Sequence, residues 1–385
     1  MKPIYLDFNA TTPIDEEVVD AMLPFLYERF GNPSSSHWLG RQAHLALEQA
    51  RQQVADLIGS KPEEIIFTSG GSEANNLAIL GVCRMNPKKA RHLITSAVEH
   101  PAVMEVCRQL EKDDFELTVL PVDCDCRINV DDLTAALRPD TILISIMHAN
   151  NEVGSIQNIK EMAVIAREKG ILFHSDAAQT IGKIAVNVDD LDIDLLSIAG
   201  HKCYAPKGVG ALYIRDGVGI SRHTFGAGQE RNIRPGTENV AGIVGLGKAC
   251  EIARRDLADN FLHLREMRDL LLVELQNAFG QERIHVNGKI EKCLPNTLSV
   301  GIKGIKAHQL LDLINDDLAI SAGSACHAND ISISPVLKAM NVPQEWAEGT
   351  LRISTGRGTS AADVHEAVRI LRQVVRTLDW TEGVR

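Results

Sequence analysis

The chain has 385 residues, a formal net charge of −11 and a pI near 5.6, with 44% hydrophobic and 24% charged residues. That length and balance suit one large core plus a smaller one. The acidic charge, with no run of Lys and Arg, argues against nucleic acid or an anionic membrane as the main partner and favours a small-molecule substrate.

The opening stretch, Met1 to Pro13, turns polar within a few residues and does not read as a signal peptide. No segment is apolar over the length needed to span a bilayer. Eight cysteines spread over the whole chain do not form a dense disulfide framework. The expectation is a cytoplasmic protein.

From about residue 60 to 215, short β-rich runs alternate with helix-length amphipathic segments. The predicted strands are Glu64–Thr68, His92–Ser96, Glu116–Val122, Thr141–Met147, Ile171–His174, Leu195–Ile198 and Gly210–Ile214. Such alternation predicts an α/β domain with a mostly parallel, two-sided sheet. Several strands run straight into polar or Gly-rich turns, among them Ser69 to Ser72, Glu99-His100-Pro101, Asn150 to Glu152, Asp176 to Gln179 and Gly200-His201-Lys202. Ligands in such sheets sit at the carboxyl ends of the strands, so these turns are expected to converge. After Gly247 the pattern predicts one long charged helix, Lys248 to Phe279, then strand Thr297–Ile302, helix Ala307–Asn315, strand Leu351–Ser354, a last helix Ala361–Thr377 and a frayed tail from Trp380. This second alternation reads as a smaller α+β domain.

The segment from Ile65 to Ala78 places Ser69-Gly70-Gly71-Ser72 between a strand and an amphipathic helix. Glycines let the backbone approach an anion, unpaired helix-start amides point at it, and the Ser72 hydroxyl adds a donor. The same stretch fits an ordinary N-capped helix equally well. Asp176 and Lys202, delivered by neighbouring strand ends, suit a cofactor that needs a carboxylate at one end and an amine at the other. A pyridine ring is an electron sink only while its nitrogen stays protonated, and a nearby carboxylate enforces that state. Burial would make the Lys202 amine a nucleophile near neutral pH.

Ser175-Asp176-Ala177-Ala178-Gln179-Thr180, followed by Ala199-Gly200-His201-Lys202-Cys203-Tyr204-Ala205-Pro206-Lys207-Gly208, resembles the cysteine desulfurase family of fold-type I pyridoxal-phosphate (PLP) enzymes. The likeness continues through Tyr5 to Pro13, Gly31 to His37, Arg231 to Asn239 and Ser321 to Cys326. It implies a large cofactor domain over residues 15–255, with a mostly parallel seven-stranded sheet. Residues 1–14 and 256–385 would form the small domain that carries the Cys326 loop.

The resemblance further implies that Lys202 holds the cofactor as a Schiff base, Asp176 pairs with the pyridine nitrogen and Gln179 contacts the ring hydroxyl. His100 would stack on the ring and act as acid or base, with Asn151 beside it. Gly71, Ser72 and His201 would hold the phosphate, joined by Thr237 from the second subunit of a homodimer. Asn32 and Arg352 would bind the substrate carboxylate, a task that suits the guanidinium fork. One departure is Ala199, where the family commonly has Ser, which removes a phosphate hydrogen bond and is expected to loosen cofactor binding modestly.

Cys326 sits in Ser321-Ala322-Gly323-Ser324-Ala325-Cys326-His327-Ala328-Asn329-Asp330, a small-residue stretch that reads as an exposed loop. An exposed thiol can become a thiolate nucleophile. The implied reaction takes sulfur from L-cysteine onto Cys326 as a persulfide, releases L-alanine, and passes the sulfur to an acceptor protein for iron–sulfur cluster assembly or thio-modification. A selenocysteine or cystine lyase and a noncatalytic sulfur-carrier scaffold remain as other readings. Cys124 and Cys126 lack a second ligand pair and are expected to bind no metal. Cys203 is expected to pack near the cofactor, Cys83, Cys107, Cys250 and Cys293 to be structural, Glu238 to belong to an interface loop, and His148 to be a satisfied hydrogen-bonding residue.

Overall fold

The computed structural model describes residues 3–85, 91–322 and 333–382, and of 379–382 only the backbone. Cys326 and its immediate neighbours lie outside the described residues. The chain begins with strand β1 (Ile4–Tyr5) and helices α1 (Glu16–Tyr27) and α2 (Trp38–Ile58). Alternation follows through β2 (Ile65–Thr68), α3 (Gly71–Met85), β3 (His92–Ser96), α4 (Pro101–Lys112), β4 (Glu116–Leu120), α5 (Val130–Ala136), β5 (Thr141–Ser145), α6 (Ile159–Glu168), β6 (Leu172–Asp176), β7 (Leu195–Ala199) and β8 (Gly210–Ile214). Helices α7 (Val240–Arg255) and α8 (Leu257–Phe279) lead to β9 (Ile284–Val286), β10 (Thr297–Ile302), α9 (Ala307–Ile314), β11 (Leu318–Ala319), α10 (Pro335–Ala339), α11 (Gln344–Ala347), β12 (Thr350–Ser354) and α12 (Ala361–Glu382).

Seven strands form one sheet in the order β2-β8-β7-β6-β5-β3-β4. From β7 to β4 every neighbour pair is parallel, while β8 runs antiparallel to both β2 and β7. Successive side chains point to opposite faces, and both faces are apolar. Ile65, Phe67, Ile94, Ile144, Leu196, Ile198 and Tyr213 enter one core, and Ile66, Leu93, Leu143, Leu195 and Leu212 enter the other. Because β2 and β7 both run against β8, their carboxyl ends emerge at the same edge as those of β3, β5 and β6.

The three-stranded antiparallel sheet β12-β10-β9 and the parallel pair β1-β11 share a third core. Its members include Ile4 and Leu6 from the chain start, Leu271 and Leu275 of α8, Val300 of β10, Leu351 of β12 and Leu371 of α12. Val336, Leu337, Met340 and Ala347, although late in the chain, pack into a core of the large sheet.

Two helix expectations need correction. The single helix expected from Lys248 is two helices that meet at Asp256 (φ −106°, ψ 12°), whose short polar side chain favours helix ends over interiors. The first of them starts before the glycines that seemed to precede it. A Cβ on Gly247 would stand 2.6 Å from Cα of Ala50, so this glycine lets α7 lie directly on α2. The last helix also continues past Thr377 to Glu382, which takes Trp380 into its final turn.

Candidate active site

Asp176 ends β6 and is 7% exposed. Its Oδ2 accepts from Asn75 Nδ2 of α3 at 2.8 Å and its Oδ1 from the Ala178 amide at 2.9 Å. Each oxygen keeps a second lone pair, so the carboxylate is oriented but not used up. One strand over, β7 runs into a short helical turn, Gly200–Lys202. The Lys202 ammonium donates to the main-chain oxygens of Asn9 at 2.6 Å and Ala10 at 2.8 Å. Burial, with the charge of Arg352, pushes its pKa down to about 8, against the pull of Asp176 and Asp7. Among the described residues no carboxylate pairs with this amine, so burial wins and favours its neutral form.

The β2–α3 turn lies across the end of β7. A Cβ on Gly71 would sit 3.1 Å from the Ala199 side chain, and one on Gly210, between β2 and β7 in the sheet, would sit 2.7 Å from Gly70. Glycine here allows the close approach that leaves the α3 amides facing the strand ends. Ser72 is exposed in the first turn of α3. His201 Nδ1 meets Thr11 Oγ1 at 3.2 Å, and its pKa falls to about 4 through burial and the charges of Lys202 and Lys207, so the ring is neutral. His100 is exposed and caps α4, accepting from the Ala102 amide on Nδ1 at 3.1 Å, which leaves its proton on Nε2.

Gln179 donates to the Asn9 main-chain oxygen at 3.0 Å and accepts from Lys183 at 3.0 Å. Asn151 presents its main-chain oxygen to Asn9 Nδ2 and to Arg352 Nη1, each at 3.3 Å. Arg352, in the middle of β12, pairs with Asp7 at 2.7 Å and donates to Ser321 Oγ at 3.1 Å. The segment Asp7 to Thr12 thus threads between the two sheets and ties Lys202, Gln179, Asn151 and Arg352 into one network.

Asn32 and Thr237 are not joined to that network. Asn32 is exposed and its side chain accepts from Ser34 in its own turn, while Thr237 is exposed in the loop before α7. His148 is not the satisfied residue expected: it is buried, its Nδ1 has no partner among the described residues, and burial lowers its pKa to about 4. Cys203 and Cys250 are buried, as are Cys83, Cys107 and Cys293; Cys124 is exposed and Cys126 buried, so those two thiols do not face one site. Glu238 lies in the loop before α7, with Oε2 buried and unpartnered among the described residues.

Sequence reasoning overlooked Asn9, Asn75, Lys183 and the Asp7 partner of Arg352. It placed Glu99 in a converging turn but gave it no role; the side chain is buried next to His100 and accepts from Ser96 Oγ at 2.6 Å and the Met147 amide at 2.9 Å. The sequence carried a signal for two of them, since Asn75 falls within the stretch read as an anion cradle and Lys183 lies one turn after Gln179.

The set fits a phosphorylated pyridine aldehyde: a spare-capacity carboxylate and a depressed amine at adjoining strand ends, beside a glycine turn that a Cβ would fill. Residues 4–366 match the model of the family described as aminotransferase class-V. A relative from Dictyoglomus turgidum named cysteine desulfurase IscS is 48% identical over 98% of this chain and 95% of its own. A solved structure titled NifS-like protein superposes with a TM-score of 0.91 at 37% identity, covering 97% of this chain and 100% of that one. Another, titled SspA in complex with cysteine, gives 0.81 at 36% identity over 92% and 99%.

Proposed function

The chain belongs to the aminotransferase class-V family, and from that premise we propose that it works as a pyridoxal-phosphate-dependent cysteine desulfurase with Cys326 as the sulfur-accepting thiol. The observation that carries the reading is the Lys202 amine, which donates to the carbonyls of Asn9 and Ala10 and to no carboxylate among the described residues, one strand from the buried Asp176 carboxylate.

Pyridoxal 5'-phosphate, when bound, supplies an electron sink for negative charge at the substrate α-carbon. Lys202 would tether it and move protons at that carbon. Asp176 would keep the ring nitrogen protonated, with Asn75 and the Ala178 amide fixing the carboxylate. Gly71, Ser72 and His201 would hold the phosphate, and Gln179, Asn151 and His100 would surround the ring. Arg352 and Asn32 would take the carboxylate of L-cysteine. The Cys326 thiolate attacks the substrate sulfur, an S–S bond forms as the substrate C–S bond breaks, and the electron pair left on carbon takes a proton to give L-alanine.

We also propose a homodimer. Supporting it, Leu26, Tyr27, Phe30 and Trp38 are each at least 60% exposed around the turn that holds Asn32, a cluster of exposed large apolar side chains of the kind that marks a protein–protein contact. Thr237, outside the network of its own chain, would complete the partner's phosphate site. The large unit would span 15–255 and the small one 1–14 and 256–385, with 336–347 packed back on the large sheet. The described cysteines are all free thiols, which supports a cytoplasmic setting, and no described helix is long and apolar enough to cross a membrane. The sulfur would pass to an acceptor protein, with iron–sulfur cluster assembly as the destination.

The test is intact-mass analysis after incubation with L-cysteine. One added sulfur is expected on the peptide that carries Cys326, and none in Cys326→Ala, which should keep its cofactor but lose alanine formation. Full turnover in Cys326→Ala would sink the proposal.

A further inference from the structure

Lys183 is 6% exposed, and among the described residues no carboxylate lies within ion-pair distance of it. Its ammonium donates to two neutral oxygens, Gln179 Oε1 at 3.0 Å and Asn9 Oδ1 at 3.3 Å. Asn296 Nδ2 shares Asn9 Oδ1 at 3.0 Å, and Asn9 Nδ2 donates to Thr297 Oγ1 at 2.8 Å. Both partners of Lys183 then converge on a single atom: the Asn9 main-chain oxygen accepts from Gln179 Nε2 at 3.0 Å and from Lys202 Nζ at 2.6 Å. Lys183 and Lys202 are thereby linked through one residue and line the same small cavity with Cys203, Tyr204 and Arg357.

A buried ammonium without a counter-ion costs several kcal/mol, and a Met would fill the space without that cost. Stability alone does not account for a lysine here. A second cation close to a lysine amine makes that amine's charged form less favourable, one of the recognised ways to activate a lysine nucleophile.

We infer that Lys183 is a positioning residue for Lys202: it clamps Asn9 and Gln179 so that their shared oxygen and amide flank the Lys202 nitrogen, and it places a second amine behind that nitrogen. The ionisable groups facing Lys183 are Lys202, Cys203 and Arg352, with Tyr204 and Arg357 across the cavity and no carboxylate among them. Burial first, and Lys202 next, bring its own pKa down to about 7, consistent with two amines competing for charge.

This inference rests on the cofactor assignment above, and the experiment separates the two. The holoenzyme is titrated with pH while the visible absorbance of the bound cofactor is followed. In Lys183→Met the midpoint should move up by about one pH unit, since removing an amine that competes for the proton raises the proton affinity of the nitrogen at Lys202. Lys183→Arg, which keeps the cation and can extend into the cavity, should hold the parent midpoint. In the Gln179→Leu background the Lys183→Met shift should shrink, because one arm of the clamp is gone. A purely structural lysine would alter the melting temperature of the variants and leave every midpoint unmoved, which would overturn the inference. A parent protein without visible absorbance would overturn the cofactor assignment instead.

Discussion

Arg352 of β12 closes on Asp7 at 2.7 Å, with the two side chains 8% and 17% exposed. This ion pair joins the start of the chain to its last described strand, and the bridge between Ser321 and Arg352 brings in the residues that lead toward Cys326. The guanidinium donates to Asp7, Ser321 and the Asn151 oxygen, and its planar fork is the group proposed above to meet the substrate carboxylate.

Replacing Arg352 with Ala should therefore act twice. The KM for L-cysteine is expected to rise about 10- to 100-fold, the worth of a hydrogen bond to a charged group, while kcat changes less. The fold should also lose about 3 kcal/mol, because Asp7 is left partly buried and unpaired. Arg352→Lys should recover stability better than KM, since a point charge does not reproduce the fork. Steady-state kinetics with a denaturant titration checks both parts, and an unchanged KM in Arg352→Ala would remove Arg352 from the substrate site.

The paired behaviour of Arg352 also shows what the sequence could and could not reveal. Apolar alternation in segments such as Ile65–Thr68 and Leu195–Ala199 announced a two-sided sheet, and the polar turns after them announced the site, because both signals are local in the chain. Asp7 and Asn9 were invisible as partners: Asp7 meets a side chain 345 positions away and Asn9 meets Thr297 and Asn296, and no periodicity encodes such contacts. The glycines before Lys248 misled because Gly is a helix breaker by propensity, whereas Gly247 is where two helices touch. Lys183 reads as an ordinary surface lysine until the fold buries it.

Glu99 offers a pH test. Burial, with a smaller contribution from Asp176, raises its pKa to about 8, although Ser96 and the Met147 amide pull the other way. The unfolded chain gives up this proton near 4.5, so between roughly 4.5 and 8 the folded state binds the extra proton. The stability associated with Glu99 is then fully present below 4.5 and is lost progressively as pH rises from there through about 8. Glu99→Gln, an uncharged mimic of the protonated acid, should be within about 1 kcal/mol of the parent at pH 4, already more stable by about 2 kcal/mol at pH 6, and more so at pH 8 and above. Melting temperatures of the two proteins should lie together near pH 4 and diverge as pH rises to about 8; curves that stay parallel would mean that Glu99 is ionised in the fold.

Ala199 gives a prediction whose sign depends on the cofactor. Its side chain is 4% exposed and faces the turn at Gly71, so a Ser hydroxyl introduced there has the β2–α3 cradle as its natural partner. With the phosphate present, Ala199→Ser gains a hydrogen bond to a charged group, worth about 1.5–3 kcal/mol, and cofactor release should slow by about tenfold or more. Without it, the hydroxyl is buried with nothing assigned to receive it, and the apoprotein should lose about 1–3 kcal/mol. Cofactor release followed by the loss of visible absorbance, set beside the melting temperature of the apoprotein, reads both signs in one pair of proteins. Slower release together with a less stable apoprotein places the phosphate against β7; a hydroxyl that stabilises the apoprotein and leaves release unchanged would instead be satisfied by the protein itself, and the phosphate would have to lie elsewhere along the cradle.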